Sequence, residues 1–222
     1  ALMMKRKTTD ESIFALHVRN DNSPNSIAIG QNALKLAGET AAAVNVQMTT
    51  IERYDLNTVA GIVNTVNERD ITDVVVGMHQ KLTVVDSYLG GKIEQLIKEL
   101  NKMVIITRCY IPINTITRIV VVAPPKAEFE TGFAGWVIRV ANLARRIGCR
   151  IIFFAHPDTI PLIRGVIYQE KIEARTEYRN FDDWGDFALI ANRVLDDDLF
   201  IVISARRTSL SFNGDMDSVP GL

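Results

Sequence analysis

With 222 residues, a net charge of −1, and 47% apolar against 23% charged residues, the chain has the composition of a globular protein with one large domain or two ordinary ones. It has no basic field to hold nucleic acid or an anionic membrane surface, no apolar run as long as a membrane span, and no signal-peptide pattern. Two cysteines, Cys109 and Cys149, give no disulfide framework and fit reduced thiols, so the expected setting is cytosolic.

Residues 12–18 (SIFALHV) read as a strand, followed by a polar loop that contains Pro24. Residues 26–45 have helical spacing, with Ile29, Ala33, Leu36, Ala37 and Thr40 expected to face inward. Residues 46–53 alternate like a strand, and 56–69 return to helical spacing through Val59, Ile62, Val63 and Val66. A strand at 74–76, expected to be buried, then ends on Gly77. After a polar loop, Gly90 and Gly91 open an amphipathic helix that feeds a second apolar strand at 104–107. Glycines at a strand's carboxyl end and a helix's amino end let backbone approach a ligand and present free N–H groups to an anion.

Residues 109–117 form a linker with Pro112, and the pattern restarts. Strands are predicted at 118–123, 150–156, 172–178 and 199–204. Helices are predicted at 132–147 and 184–195, the first with Phe133, Val137, Val140, Ala144 and Ile147 inward and Gly148 as its stop. The halves repeat: FALHV (14–18) matches IFFAH (152–156), TTIERYD (49–55) matches ARTEYRN (174–180), and DVVVGMH (73–79) matches LFIVISA (199–205). Strands alternating with helices imply right-handed crossovers and parallel sheets. The expected architecture is two tandem α/β domains, 1–113 and 114–222, with one continuous sheet as the alternative. The first copy lacks its opening strand and the second its closing helix and strand, as expected of a piece cut from a larger protein.

The stretch 72–107, TDVVVGMHQKLTVVDSYLGGKIEQLIKELNKMVIIT, resembles the signature end of a universal stress protein domain. That family's pattern is Gly, two residues, Gly, nine residues, Gly, then Ser or Thr. Gly77 and Gly90 fill the first and third positions, Gln80 replaces the second glycine, and Gly91 stands where Ser or Thr belongs. The resemblance covers nearly the whole chain and implies two flavodoxin-like domains, with parallel sheets flanked by helices. It is specific in the first half and only topological in the second, where Ser204, Ala205, Arg206 and Arg207 occupy the corresponding stretch. It implies ATP or another adenine nucleotide as candidate ligand, with the glycines at the phosphates and an acidic residue after the first strand near the adenosine. The second domain has Ala123, Pro124 and Pro125 at that place, without a carboxylate, and Gln80 adds a side chain where backbone meets phosphate.

A narrower resemblance is to the paired, degenerate domains that form the cytosolic C-terminal tail of some bacterial sodium/proton antiporters of the monovalent cation:proton antiporter class. It implies a non-catalytic cytoplasmic domain of an inner-membrane transporter, regulating cation transport. Its partners would be the membrane domain of the same parent and, through edge strands such as 104–107, a second copy in a homodimer. The rivals are a free-standing tandem universal stress protein that binds ATP and a small phosphoester hydrolase.

The ligand-binding candidates are Gly77, Met78, His79, Gly90, Gly91 and Lys92, with Lys92 set against the helix dipole as if near an anion. Turn geometry alone is the other explanation of those glycines. His17 and His156 occupy equivalent strand ends, as ligand contacts or as structural histidines, and no zinc-ligand spacing occurs. Asp182, Asp183 and Asp186 are the carboxylates a hydrolase would use, or else helix caps. Residues 196–198 read as a solvated acidic turn, and Arg206 and Arg207 as an anion contact. Trp136 lies off the inward stripe, placed for core packing or for another domain or chain. No nucleophile elbow or P-loop is present.

Overall fold

The computed structural model describes residues 13–77, 91–108 and 111–217. In chain order the elements are β1 (Ile13–Arg19), α1 (Pro24–Ala43), β2 (Met48–Tyr54), α2 (Thr58–Glu68), β3 (Asp73–Gly77), α3 (Gly91–Glu99) and β4 (Met103–Thr107). There follow β5 (Arg118–Val122), α4 (Phe133–Ile147), β6 (Arg150–Ala155), α5 (Thr159–Gln169), β7 (Arg175–Asn180), α6 (Phe187–Ala191) and β8 (Asp198–Val202). Every strand pairing among the described residues is parallel, as helical crossovers between strands require. The chain divides into two compact units after Arg108.

In the first unit β1 pairs with β2 and β3 with β4. The Ser23 side chain accepts the Ser26 amide at 3.2 Å, and Pro24 opens α1 with a φ already suited to the helix. Asn57 caps α2, accepting the Val59 amide at 2.9 Å. The α1 stripe departs from expectation. Ile29 and Leu36 are 54% and 64% exposed, while Ile27, Gly30, Leu34, Ala37 and Ala41 turn inward. Gly30 explains the rotation, because a Cβ there would lie 2.7 Å from the His17 ring. The helix seats its small side on the strand and gains close packing that a larger residue would prevent. The stripe expected for α2 is observed: Val59 and Val66 are buried, Ile62 and Val63 pack beside them, and Leu96 and Leu100 close the cluster from the α3 side. The strand expected to be fully buried is not, since Val75 of β3 is 47% exposed.

The second unit is one sheet in the order β7-β6-β5-β8. β5 is its centre, and Ile119, Val121 and Val122 have no exposed surface. One face, carrying Val120, Val122, Ile152 and Phe154, packs with Phe181, Trp184, Phe187, Ile190 and Met216. Strand alternation turns Phe153 to the other face, where it lies 6.4 Å from the Trp136 ring of α4. Trp136 also meets Phe133 edge-on at 5.5 Å, which makes it a core residue. α4 stops at Gly148, which adopts φ +75, a conformation cheap only for glycine.

Two boundaries correct the sequence reading. The strand placed at 172–178 runs from Arg175 to Asn180, and α5 precedes it where no helix was expected. Thr159, Ile163 and Ile167 are its buried stripe, masked in the sequence by Pro161. That proline lies in the first turn, where a missing N–H costs little. The helix expected at 184–195 is a 3-10 turn at Trp184–Asp186 followed by α6, which ends at Ala191.

Candidate functional site

In open α/β sheets ligands collect outside the carboxyl ends of the strands, above all where the strand order reverses. In the first unit that end of β3 is Gly77, opposite Thr107 of β4. The Thr107 hydroxyl donates to the Val76 carbonyl at 3.4 Å. Gly91 is the first residue of α3, Lys92 beside it is exposed, and Glu94 lies in the same first turn. Neither glycine has a positive φ, and a Cβ added to either meets no described atom within 4 Å. Met78, His79 and Gly90, the other residues singled out with them, lie outside the described residues.

In the second unit the order reverses between β5 and β8. The Ile203 amide donates to the Val122 carbonyl at 2.8 Å, and buried Pro124 follows β5. Protein closes this end. Residues 205–217 bring Met216, 7% exposed, into the core cluster with Val122 and Trp184, and Ala205 and Phe212 pack against it. Glu130 pins the segment: its Oε1 accepts the Ser211 amide at 3.0 Å and the Ser211 hydroxyl at 2.8 Å. Burial pushes the Glu130 carboxyl upward, but hydrogen bonds from Ser211, Ser209 and the Leu210 amide outweigh it and hold the group below its ordinary range. This anchor was not legible beforehand, because a lone glutamate in a loop has no periodic or motif signature.

The remaining candidates separate by position. His17 lies inside β1 opposite Glu52, whereas His156 follows β6 and its Nδ1 accepts the Asp158 amide at 3.3 Å. The two histidines therefore do not occupy equivalent strand ends; the repeat offsets them by one residue. Asp183 accepts the Gly185 amide at 2.7 Å and starts the turn at Trp184–Asp186, a capping role. Arg206 and Arg207 follow β8, Arg206 half-buried and Arg207 exposed. Among the described residues no cluster of three His, Cys, Asp or Glu side chains is placed to hold a metal.

The acidic turn at 196–198 is not simply solvated. The Asp198 side chain has no exposed surface, and it takes a two-pronged ion pair from Arg118, with Nε to Oδ1 at 2.7 Å. It also accepts the Leu195 amide at 2.8 Å. Burial raises the Asp198 carboxyl, but Arg118 and the Leu195 amide prevail and lower it. This pair ties the amino ends of β5 and β8 together, at the opposite end from the strands' carboxyl termini. Cys149 is a buried free thiol that burial pushes up, which suits packing and not nucleophilic chemistry. No helix among the described residues is long and apolar enough to cross a membrane.

No protein family and no curated protein matches the sequence. Two solved structures are similar across most of their length. One is a candidate universal stress protein from Pseudomonas aeruginosa UCBPP-PA14, at 11% identity and TM-score 0.56, over 94% of this chain and 88% of that one. The other, a protein of unknown function from Pseudomonas aeruginosa PAO1, gives 12% identity and TM-score 0.56 over the same shares. At such identity the likeness is one of fold. The chain has a universal-stress-protein-like α/β fold, with parallel sheets flanked by helices.

Proposed function

We propose that the chain is a non-catalytic regulatory module that senses an anion, an adenine nucleotide being the first candidate, at Gly77, Gly90 and Gly91. The observation that supports this is the place of the two glycines, Gly77 at the carboxyl end of β3 and Gly91 at the amino end of α3. Neither backbone conformation nor a described neighbour calls for glycine at either position. Close approach of a ligand to bare main chain does call for it. The first-turn amides of α3 supply donors and a positive dipole end, and Lys92 adds a formal charge. A ligand held there acts by favouring one arrangement of the module over another.

Calorimetric titration of the chain with ATP, ADP, AMP and cyclic nucleotides tests the reading. Saturable binding that is weakened by Gly91→Asp supports it. Silence at millimolar ligand leaves a structural or protein-binding module.

The parent protein we propose is a sodium/proton antiporter, with this module as its cytoplasmic regulatory part. The support is the eroded signature at Gly77 and Gly90. A membrane domain in the same reading frame, and cation/proton exchange whose dependence on the nucleotide disappears in Gly91→Asp, are the expected results. The rival, a free-standing universal stress protein, draws support from the near full-length match to a candidate member. A reading frame without a membrane domain would favour it. Dimerisation through β4 is checked by light scattering, where a monomer at high concentration refutes it.

A further inference from the structure

Each unit has a groove between a crossover helix and the strand that follows it, and the two grooves are lined differently. In the first unit the groove lies between α1 and β2, measures about 520 Å³ and includes Lys35, Glu39 and Glu52 in its lining. Those charges have partners: Lys35 lies 3.9 Å from Glu39, and Glu52 pairs with Arg19. In the second unit the groove lies between α5 and β7 and measures about 620 Å³, a size usual for small-molecule sites. Arg164 and Tyr168 line it from α5, Lys171 from just past the helix end, and Thr176 and Tyr178 from β7. Four residues apart, Arg164 and Tyr168 share one helix face. The Arg164 Cζ lies over the Tyr178 ring, 4.4 Å from its centroid, and Tyr178 stacks in turn on buried Phe153 at 5.6 Å. Attraction to a ring face holds a guanidinium in place without using its hydrogen bonds. No described residue accepts a hydrogen bond from the Arg164 guanidinium or from the Lys171 ammonium. Lys171 also adopts φ +51, in the left-handed region filled by Asn45 after α1 and Gly148 after α4. A lysine is held there at a cost in backbone strain.

We propose that the groove between α5 and β7 binds a small aromatic anion, a flat ring bearing one carboxylate or phosphate group. The anionic group takes the unspent N–H fork of Arg164, and Lys171 adds a second positive charge. The ring lies against Tyr168, whose side of the groove is open at 85% exposure, over the apolar floor given by Ile167. Glu173 shares the lining and disfavours a second anionic group on the ligand.

The probes are phenyl phosphate and benzoate, titrated into the isotope-labelled full chain with amide chemical shifts as the readout. Saturable shifts at Tyr168, Lys171, Thr176 and Tyr178 are expected, and the stronger of the two probes names the group recognised. Inorganic phosphate, which lacks the ring, and cyclohexyl phosphate, whose ring is not flat, should bind at least about tenfold more weakly than phenyl phosphate. Arg164→Gln should weaken the better probe at least about tenfold. Arg164→Lys, which keeps the charge without the planar fork, should not restore it. Arg164 is exposed, so both variants should melt near the wild-type temperature. Gly91→Asp should leave this binding unchanged, which separates it from the ligand proposed at α3. No saturation by either probe at millimolar concentration, equal binding of inorganic phosphate, or wild-type affinity in Arg164→Gln overturns the proposal.

Discussion

Glu130 offers the sharpest test of how the second unit closes its ligand end. Two hydrogen bonds from Ser211 converge on one carboxylate oxygen, at 3.0 and 2.8 Å, and Ser211 is 5% exposed. Bonds to a charged acceptor contribute about 1.5–3 kcal/mol each, and leaving a buried donor unpaired costs about 1–3 kcal/mol. Glu130→Gln keeps one neutral acceptor and should cost about 1 kcal/mol; Glu130→Ala strands the Ser211 amide and should cost about 2 kcal/mol. The loss is local, so it should appear as faster amide exchange at Ser211 and Met216, by roughly 5-fold in the Gln variant and 30-fold in the Ala variant, with the α4 amides unchanged. The carboxyl is held below its unfolded value, so its contribution is complete above that value and disappears as pH falls through the folded one. Wild type and Glu130→Gln should therefore converge in acid. Exchange at 209–216 that is unchanged, or that rises equally with the α4 amides, refutes the idea of a pinned segment.

Asp198→Ala removes the paired carboxylate from Arg118, whose side chain is 17% exposed, and should cost about 3 kcal/mol by urea unfolding. Because Asp198 is also lowered, the wild-type advantage over Asp198→Asn should shrink as pH falls through the folded value. Gly30→Val drives a side chain into the His17 ring and should cost about 2 kcal/mol, while Leu36→Ser, at an exposed site, should stay within about 0.5 kcal/mol; thermal melts of both distinguish the observed stripe from the expected one. Gly148→Ala, at φ +75, should lose about 1 kcal/mol in the same assay.

Strand content and parallel order were legible because buried parallel strands are aliphatic runs that few other elements imitate, as RIVVV and IIFF show. The α1 stripe was misread for a physical reason. Large aliphatic residues mark an inward face only when the helix packs by volume, and here Gly30 and Ala41 pack by closeness. α5 was hidden because a proline three residues into a helix looks like a break but is tolerated there. Gly77 and Gly91 were singled out for their places at a strand's carboxyl end and a helix's amino end, and the structure puts them there. Glu130 and Asp198 were illegible because their partners lie 81 and 80 residues away in sequence, and only folding reveals such pairs.

The two halves differ at the carboxyl ends of their strands. At the end of β3 the backbone is bare and unobstructed among the described residues. At the end of β8 the chain turns back, and Met216 enters the apolar cluster beneath it. Burying a side chain of that size contributes about 1.5–3 kcal/mol, and the Glu130 anchor adds to it. A nucleotide entering the second unit would have to displace both before making any contact of its own. Met216→Ala should loosen residues 209–217 without creating nucleotide binding, because Pro124 remains buried. Calorimetry that detected a second binding event in Met216→Ala would show instead that this segment is a removable cover over a working site.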